Sequence, residues 1–424
     1  MSAELAGGAV ARLDSAVPSA ALRAEALYKA AIRPADRAVD PVAEGAGIGE
    51  DPAFLQSQLI TCLGNKRSLL DLVGEGVAVV KERLGKDRLD IYDAFSGSGV
   101  VSRYFKRHAS RLYSNDLESY ARIAASCYLA NREAFPERDY EAAFAWMADE
   151  LGDTARGAAT DRIALHGGGG IFSRLYAPAD DQDIKAGERV FYTRRNALYL
   201  DAARRMTGEL APDLQPFFLG PLLSEASVHA NTAGVFKGFY KDATTGIGKF
   251  GGRKGDALCR ILGDIALERP VLSRFSCDVE VLQGDAAEVS SRLPDLDVAY
   301  LDPPYNQHPY GSNYFMLNLL VDYEEPEAIS RVSGIPRNWK RSAYNRAGEA
   351  AAALEGLVAA LRARFVLVSF NSEGFIAPEE MLGILGRHGK VGVLERKYNA
   401  FRGSRNLSGR GLHVSEYLYV LEKD

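Results

Sequence analysis

The sequence predicts an α/β fold, a largely parallel sheet with helices on both faces and a mainly helical inserted domain, on three observations. Seven short apolar runs, each rich in β-branched or aromatic residues and each closed by an acid or glycine, alternate with helical patterns from Leu89 onward. The first of them runs into a glycine-bearing turn and then a helix. Between the second and third, residues 131–278 read mostly as helix, a block most simply explained as a second domain spliced into the sheet.

The elements follow in order. Residues 1–50, rich in Ala, Gly and Asp, predict a loosely ordered arm with one short helix near residues 21–31. Residues 51–130 predict the first part of the core, containing LDIYDAFSGSG and LYSNDLE. The helical insert, 131–278, includes RRNALYLDAARRMTGEL and FFLGPLLSEASVHANTAGVF, with HGGGG at 166–170 as a flexible joint. Residues 279–424 complete the core with VEVLQGD, VAYLDPPY, FVLVSFN, VGVLERK and HVSEYLYVLE.

Composition bounds the function classes. A 424-residue chain with 47% apolar and 25% charged residues is that of a globular protein with two or three domains. No uncharged apolar run is long enough for a bilayer, and the N-terminal stretch lacks a basic head followed by a hydrophobic segment, so a cytoplasmic location is expected. Cys62, Cys127, Cys259 and Cys277 are scattered, without CxxC pairing or a nearby histidine. Free, buried or half-buried thiols and no metal site are expected. The net charge of −5 argues at first sight against a polyanionic partner. Local clustering of basic residues decides that question, not the total.

Chemistry concentrates at three run ends. Asp93 leads through Phe95 and Ser96 into a turn with Gly97 and Gly99, where missing side chains let a nucleotide-like ligand approach the backbone. Asp116, about 20 residues on, stands where an acid accepts hydrogen bonds from a ribose diol. Taken singly, a plain tight turn and a helix cap explain these residues too. Asp302 ends the run DVAYL, at the sheet edge where open α/β folds bind ligands, and Pro303 and Pro304 hold rigid carbonyl acceptors beside it. An acid and a fixed carbonyl suit the two protons of an exocyclic amine, and Tyr305 offers a flat face for a planar base.

DPPY at 302–305, FSGSG at 95–99 and LGNKRSLLDLV at 63–73, in that chain order, resemble the α group of S-adenosylmethionine-dependent DNA adenine N6-methyltransferases, the Dam-like enzymes. The similarity extends through VHANTAGVFKGFYK, NQHPYGSNYFMLNLL, LVSFNSEGFI and YNAFRGSRN. The resemblance implies a Rossmann-like methyltransferase core with S-adenosyl-L-methionine as cofactor. Gly64, Asn65 and Lys66 match the motif at its methionine end, and Phe95, Gly97 and Gly99 the turn beneath it. Asp116 matches the ribose ligand and Asp285, in LQGDAAEV, the adenine-edge acceptor. Asp302, Pro303, Pro304 and Tyr305 match the catalytic tetrapeptide. Family members often carry an aromatic where this chain has Cys62, so an aromatic wall of the cofactor site is expected from elsewhere.

Direct methyl transfer to N6 of an adenine flipped from duplex DNA is the implied reaction, without covalent enzyme intermediate or metal. Its setting is restriction–modification, with a cognate endonuclease as partner, or orphan methylation. For DNA contact, residues 232–260 hold six basic side chains against two acids, interleaved with aromatics. Lys237, Lys241, Lys249, Arg253 and Lys254 belong to this run. A second basic run is IPRNWKRSAYNR at 335–346, and a third, at 395–410, carries Arg402, Arg405 and Asn406. Two rivals stand: an RNA or protein amino-group methyltransferase with the same chemistry, and a catalytically silent DNA-binding subunit. The GNKRSLL block and the large insert weigh against the first, the intact DPPY against the second.

Overall fold

A computed structural model describes residues 49–61, 66–152, 159–252, 257–399 and 413–424. All seven apolar runs are strands: β1 Leu89–Asp93, β2 Ala109–Asp116, β3 Asp278–Gln283, β4 Leu296–Leu301, β5 Ala363–Asn371, β6 Gly389–Asn399 and β7 His413–Lys423. They form one sheet in the order β3-β2-β1-β4-β5-β7-β6. The first five run parallel, whereas β7 enters antiparallel between β5 and β6. Central strands are buried on both faces, which is why β1 and β4 read as near-continuous apolar runs and not as alternations.

The strand order reverses between β1 and β4, and there the carboxyl ends diverge to leave a crevice. Backbone bonds gather the edges around it: Ala94 N–H donates to the Tyr300 carbonyl (3.0 Å), Ser96 N–H to Asn115 (2.8 Å) and Gly284 N–H to Asp116 (3.0 Å). The buried Asn115 amide adds bonds to the Ala94 carbonyl (3.1 Å) and the Gly284 carbonyl (3.2 Å), fastening the ends of β1, β2 and β3 together.

Each sheet face has its own core. The helix Leu70–Leu84 buries Leu72, Val73, Val77 and Val80 with Ile91, Val298 and Leu367, while Ala347–Ala360 buries Leu354, Leu357 and Val358 with Ala299, Val366 and Val368. A Leu→Ala change at such a site costs about 2–5 kcal/mol.

Residues 131–277 fold, among those described, into helices and connecting loops, and Asp278, the last residue of the expected insert, already opens β3. The longest helices are Glu137–Glu150, Arg194–Glu209 and Gln215–Val228. Their apolar side chains merge with those of Ser119–Tyr128 and Phe315–Asp322 in one cluster that includes Tyr120, Phe172, Leu222 and Phe315. Residues 46–424 accordingly form one compact unit.

Two expectations need correction. HGGGG is a close-packing site, not a flexible joint: a Cβ on Gly167 would lie 2.1 Å from the Leu198 carbonyl oxygen, and one on Gly170 2.1 Å from the Asp201 carboxyl carbon. Cys127 and Cys277 are buried as expected, but Cys259 is exposed because the short helix Leu258–Leu262 turns it outward. The expected helix near residues 21–31, and Cys62, lie outside the described residues.

Candidate active site

The crevice is lined by side chains from every expected run end. Phe95, Ser96 and Gly97 follow β1, Asp116 ends β2, Asp285 follows β3, and Asp302 with Pro304 follows β4; Lys66 closes the floor. Gly97 (φ +51°) and Gly99 (φ +77°) both adopt left-handed conformations, so the glycines are required by the turn itself. The turn is tied to β2, because Gly97 N–H donates to Asp116 Oδ2 at 2.8 Å. Asp116 Oδ1 accepts from Glu118 N–H at 2.9 Å. The acid therefore organises backbone and faces the pocket at once. Asp285 lines the pocket while capping the helix Ala286–Ser290 through Ala287 N–H (2.9 Å).

Asp93 sits one layer deeper. It is fully buried, its Oδ2 accepts from Ser102 Oγ at 2.6 Å, and that hydroxyl also meets Ser114 Oγ at 2.9 Å. Burial raises its carboxyl to about 7, with the Ser102 bond opposing and the nearby Asp302 charge reinforcing the rise.

Asp302 is the hub on the β4 side. Lys66 Nζ lies 3.1 Å from its Oδ1 and 2.6 Å from Glu416 Oε1, a residue of β7. Burial works against the Lys66 ammonium, but the Asp302 and Glu416 carboxylates outweigh it and hold the group well above the ordinary lysine range. Asp302 itself is raised to about 6, chiefly by burial, with Lys66 pulling down and Glu416 pushing up. The half-buried Tyr305 ring stands edge-on to Phe370 (centroids 6.4 Å apart) with Lys66 Nζ 5.9 Å from its centroid. Pro303 is buried, and among the described residues no N–H donates to its carbonyl.

Sequence reasoning missed the opposite wall. Lys340, Ser342, Tyr344 and Asn345 come from the basic run 335–346, which the sequence places on a DNA face, yet all four line this pocket. Tyr344 packs edge-on against Phe95 at 5.2 Å, so the pocket lining includes an aromatic pair. Lys340 Nζ donates to the Leu117 carbonyl (2.8 Å), and Asn345 Nδ2 to the Asn306 carbonyl (2.9 Å), joining this wall to the loop after DPPY. Arg337 and Arg341 of the same run remain exposed, Arg341 over Trp339 (4.6 Å). Glu118 is a second missed acid: it is buried at the pocket edge and raised to about 7, by burial and then by Asp116. The signal for Glu416 was present, an acid spaced to share the buried β7 face of Leu418 and Val420.

Among the expected DNA contacts, Lys237 is exposed with Nζ 3.3 Å from His308 Nδ1, just past DPPY. Lys241 is exposed over the Phe239 ring (5.0 Å). Lys249 is half-buried and pairs loosely with Asp242 at 3.9 Å. Gly64, Asn65, Arg253, Lys254, Arg402, Arg405 and Asn406 lie outside the described residues. Among the described residues no cluster of His, Cys, Asp and Glu could hold a metal, and no helix is long and apolar enough to cross a membrane.

Comparison with known proteins agrees with this geometry. The model of the D12 class N6 adenine-specific DNA methyltransferases matches residues 63–154 and 270–356, the two blocks that carry the pocket. The type II methyltransferase M.CviAII of Paramecium bursaria Chlorella virus 1 is 28% identical over 365 residues, 85% of this chain and 97% of that protein. M.NlaIII of Neisseria lactamica is 26% identical over 340 residues, 78% and 90% of the two chains. M.FokI of Planomicrobium okeanokoites is 25% identical over 376 residues, 85% of this chain but 52% of its own length. With a matching family model on the residues of the crevice and relatives aligned along most of the chain, this protein is similar to the D12 class of N6 adenine-specific DNA methyltransferases.

Proposed function

We propose that the protein methylates N6 of adenine at a specific site in duplex DNA, as part of restriction–modification, with S-adenosylmethionine as the donor. One observation carries the reading: an acid at the carboxyl end of β4, at the switch point of the sheet, opens into the same pocket as the β1 glycine turn and the β2 acid. The lining fits the donor. Asp116, Glu118, Asp285 and Asp302 offer carboxyl groups to a cationic, diol-bearing molecule, and Phe95 with Tyr344 offers an apolar wall to its base. When bound, the donor supplies an electrophilic methyl group on positively charged sulfur.

The chain's own residues do the rest. Asp302 and the Pro303 carbonyl accept the two N6 protons, turning the amine lone pair away from the ring and toward the pocket. Tyr305 stacks on the flipped base. Formation of the new N–C bond would be matched by loss of the methyl–sulfur bond, whose electron pair would stay on sulfur as a neutral thioether; N6 then carries one proton too many, and the Asp302 carboxylate takes it before releasing it to solvent. Its raised pKa of about 6 makes it a better acceptor than an ordinary aspartate while leaving it mostly ionised near neutrality. Lys237 and Lys241, with the basic residues of 253–254 and 402–406, hold the phosphate backbone, and the helical segment reads the target sequence. A cognate endonuclease cutting the same site is the expected partner.

The test is transfer of labelled methyl from S-adenosylmethionine to unmethylated duplex DNA, RNA and protein in parallel, followed by nucleoside analysis. N6-methyladenine in DNA, lost with Asp302→Ala, is expected. Label in RNA or protein alone would replace the substrate, and no label would favour a silent subunit.

A further inference from the structure

We propose that Glu416, on β7, is a positioning residue for methyl transfer: acting through the Lys66 ammonium, it fixes the Asp302 carboxylate against the target amine. The inference rests on the role assigned to Asp302 above.

Glu416 is 1% exposed, on a strand face it shares with the buried Leu418 and Val420. Burying a carboxylate there is costly unless it is paired, and an apolar residue of similar size would hold the sheet more cheaply. Its Oε1 takes two bonds, from Lys66 Nζ at 2.6 Å and from Ser369 Oγ of β5 at 2.8 Å. Lys66 in turn spans the 2.6 Å and 3.1 Å contacts to Glu416 and Asp302, so one ammonium is shared by two carboxylates from different strands.

This sharing has two consequences for Asp302. Anchored on Glu416, the lysine stays in place when Asp302 engages the amine, so the acid keeps its orientation. The Glu416 charge also offsets part of the Lys66 charge, which leaves Asp302 a competent proton acceptor instead of one neutralised by a tight private ion pair. The groups facing Asp302 are Lys66, Glu416, the deeper Asp93 and the Tyr300 hydroxyl. Glu416 is the member of this set that lies on β7, remote in sequence from DPPY, and its charge can be removed while an oxygen acceptor is kept.

The test uses the full chain, labelled S-adenosylmethionine and unmethylated plasmid DNA, with kcat and KM measured from pH 5 to 9. Wild type and Asp302→Ala come first: absence of N6-methyladenine from the wild-type reaction would sink the assigned function and would say nothing specific about Glu416. Given an active wild type, Glu416→Gln is expected to lower kcat about tenfold at pH 8, with both KM values within about twofold. Its acidic limb should move to lower pH by roughly one unit, because a like charge near Asp302 has gone. Ser369→Ala breaks a bond to the same carboxylate without changing charge, and its limb should stay at the wild-type position. A Glu416→Gln limb that stays put, or one that Ser369→Ala moves equally, would overturn the proposal. Should Glu416→Gln fail to fold, Glu416→Asp keeps the charge but withdraws it from Lys66. Reduced kcat in a folded Glu416→Asp protein supports the proposal; wild-type kcat and limb, or failure of this variant to fold as well, would show an acid that serves the fold alone.

Discussion

Asp93 makes a quantitative prediction about stability. A carboxyl that ordinarily titrates near 3.8 is raised to about 7 in the folded protein, principally because it is fully buried. The folded state therefore binds its proton more tightly than the unfolded state does. Stability from this group is fully present below about pH 4, declines as pH rises between about 4 and 7, and is constant above that. At 1.36 kcal/mol per pH unit, the whole decline amounts to about 4 kcal/mol. Asp93→Asn keeps the shape and an acceptor for Ser102 but cannot ionise, so it should be more stable than wild type at pH 8 by up to about 4 kcal/mol. At pH 5 the gain should shrink to about two fifths of that. Glu118 and Asp302 are raised in the same direction, so the variant should retain a falling profile of its own, shallower than that of wild type by Asp93's share. Urea denaturation at half-unit steps from pH 5 to 9, without ligand, measures this directly. A variant less stable than wild type at pH 8, or a difference independent of pH, would refute the argument. If the same variant binds S-adenosylmethionine more weakly, the buried charge is a stability cost retained for ligand binding.

Asp302→Ala should reduce methyl transfer by at least about a thousandfold with DNA affinity within about threefold, measured by product analysis and gel shift. In the wild type, kcat/KM for DNA should be present above and lost below an acidic limb near pH 6, since Asp302 must be ionised to accept the amine protons; a limb near pH 4 would contradict the environment described. Tyr344→Ala should weaken S-adenosylmethionine binding by about 1–2 kcal/mol in calorimetry, through loss of the wall it forms with Phe95, and unchanged affinity would place the ligand base elsewhere. Charge reversal at Lys237 and Lys241 should weaken DNA binding and reduce the slope of log affinity against log salt by about one per cation removed; an unaltered slope would move the DNA face.

The parts of this molecule legible in its sequence are those where one short run holds both the structural and the chemical signal. β1 and β2 each end in an acid, and β4 is followed by one, that lines the crevice or lies just beneath it, and Gly97 and Gly99 mark the turn that needs left-handed backbone. Sheet order was less legible, because the insertion of β7 beside β5 depends on pairing between runs far apart in the chain. The wall at 340–345 was misread for a physical reason. A run of Arg, Lys, Trp and Tyr has the composition of a phosphate-binding surface whether its side chains face DNA or, as with Lys340 and Tyr344, a pocket of acids. HGGGG misled similarly: glycine serves close approach as well as freedom, and here the Leu198 backbone and the Asp201 side chain take up the space. Glu416 has no motif around it, so only its place on an apolar strand face could have distinguished it.

The antiparallel entry of β7 bears on how the enzyme comes into being on the ribosome. β6 is synthesised before β7 yet, among the described residues, pairs only with it, so the nascent sheet must keep a place beside β5 open while β6 waits. Until then β5 is an unpaired edge, a hazard for association with other chains. The strand that seals that edge also delivers Glu416 to Lys66. A half-made molecule that has its glycine turn and its DPPY thus still lacks the second carboxylate that its lysine bridges, and catalytic competence should arrive together with protection of the sheet edge.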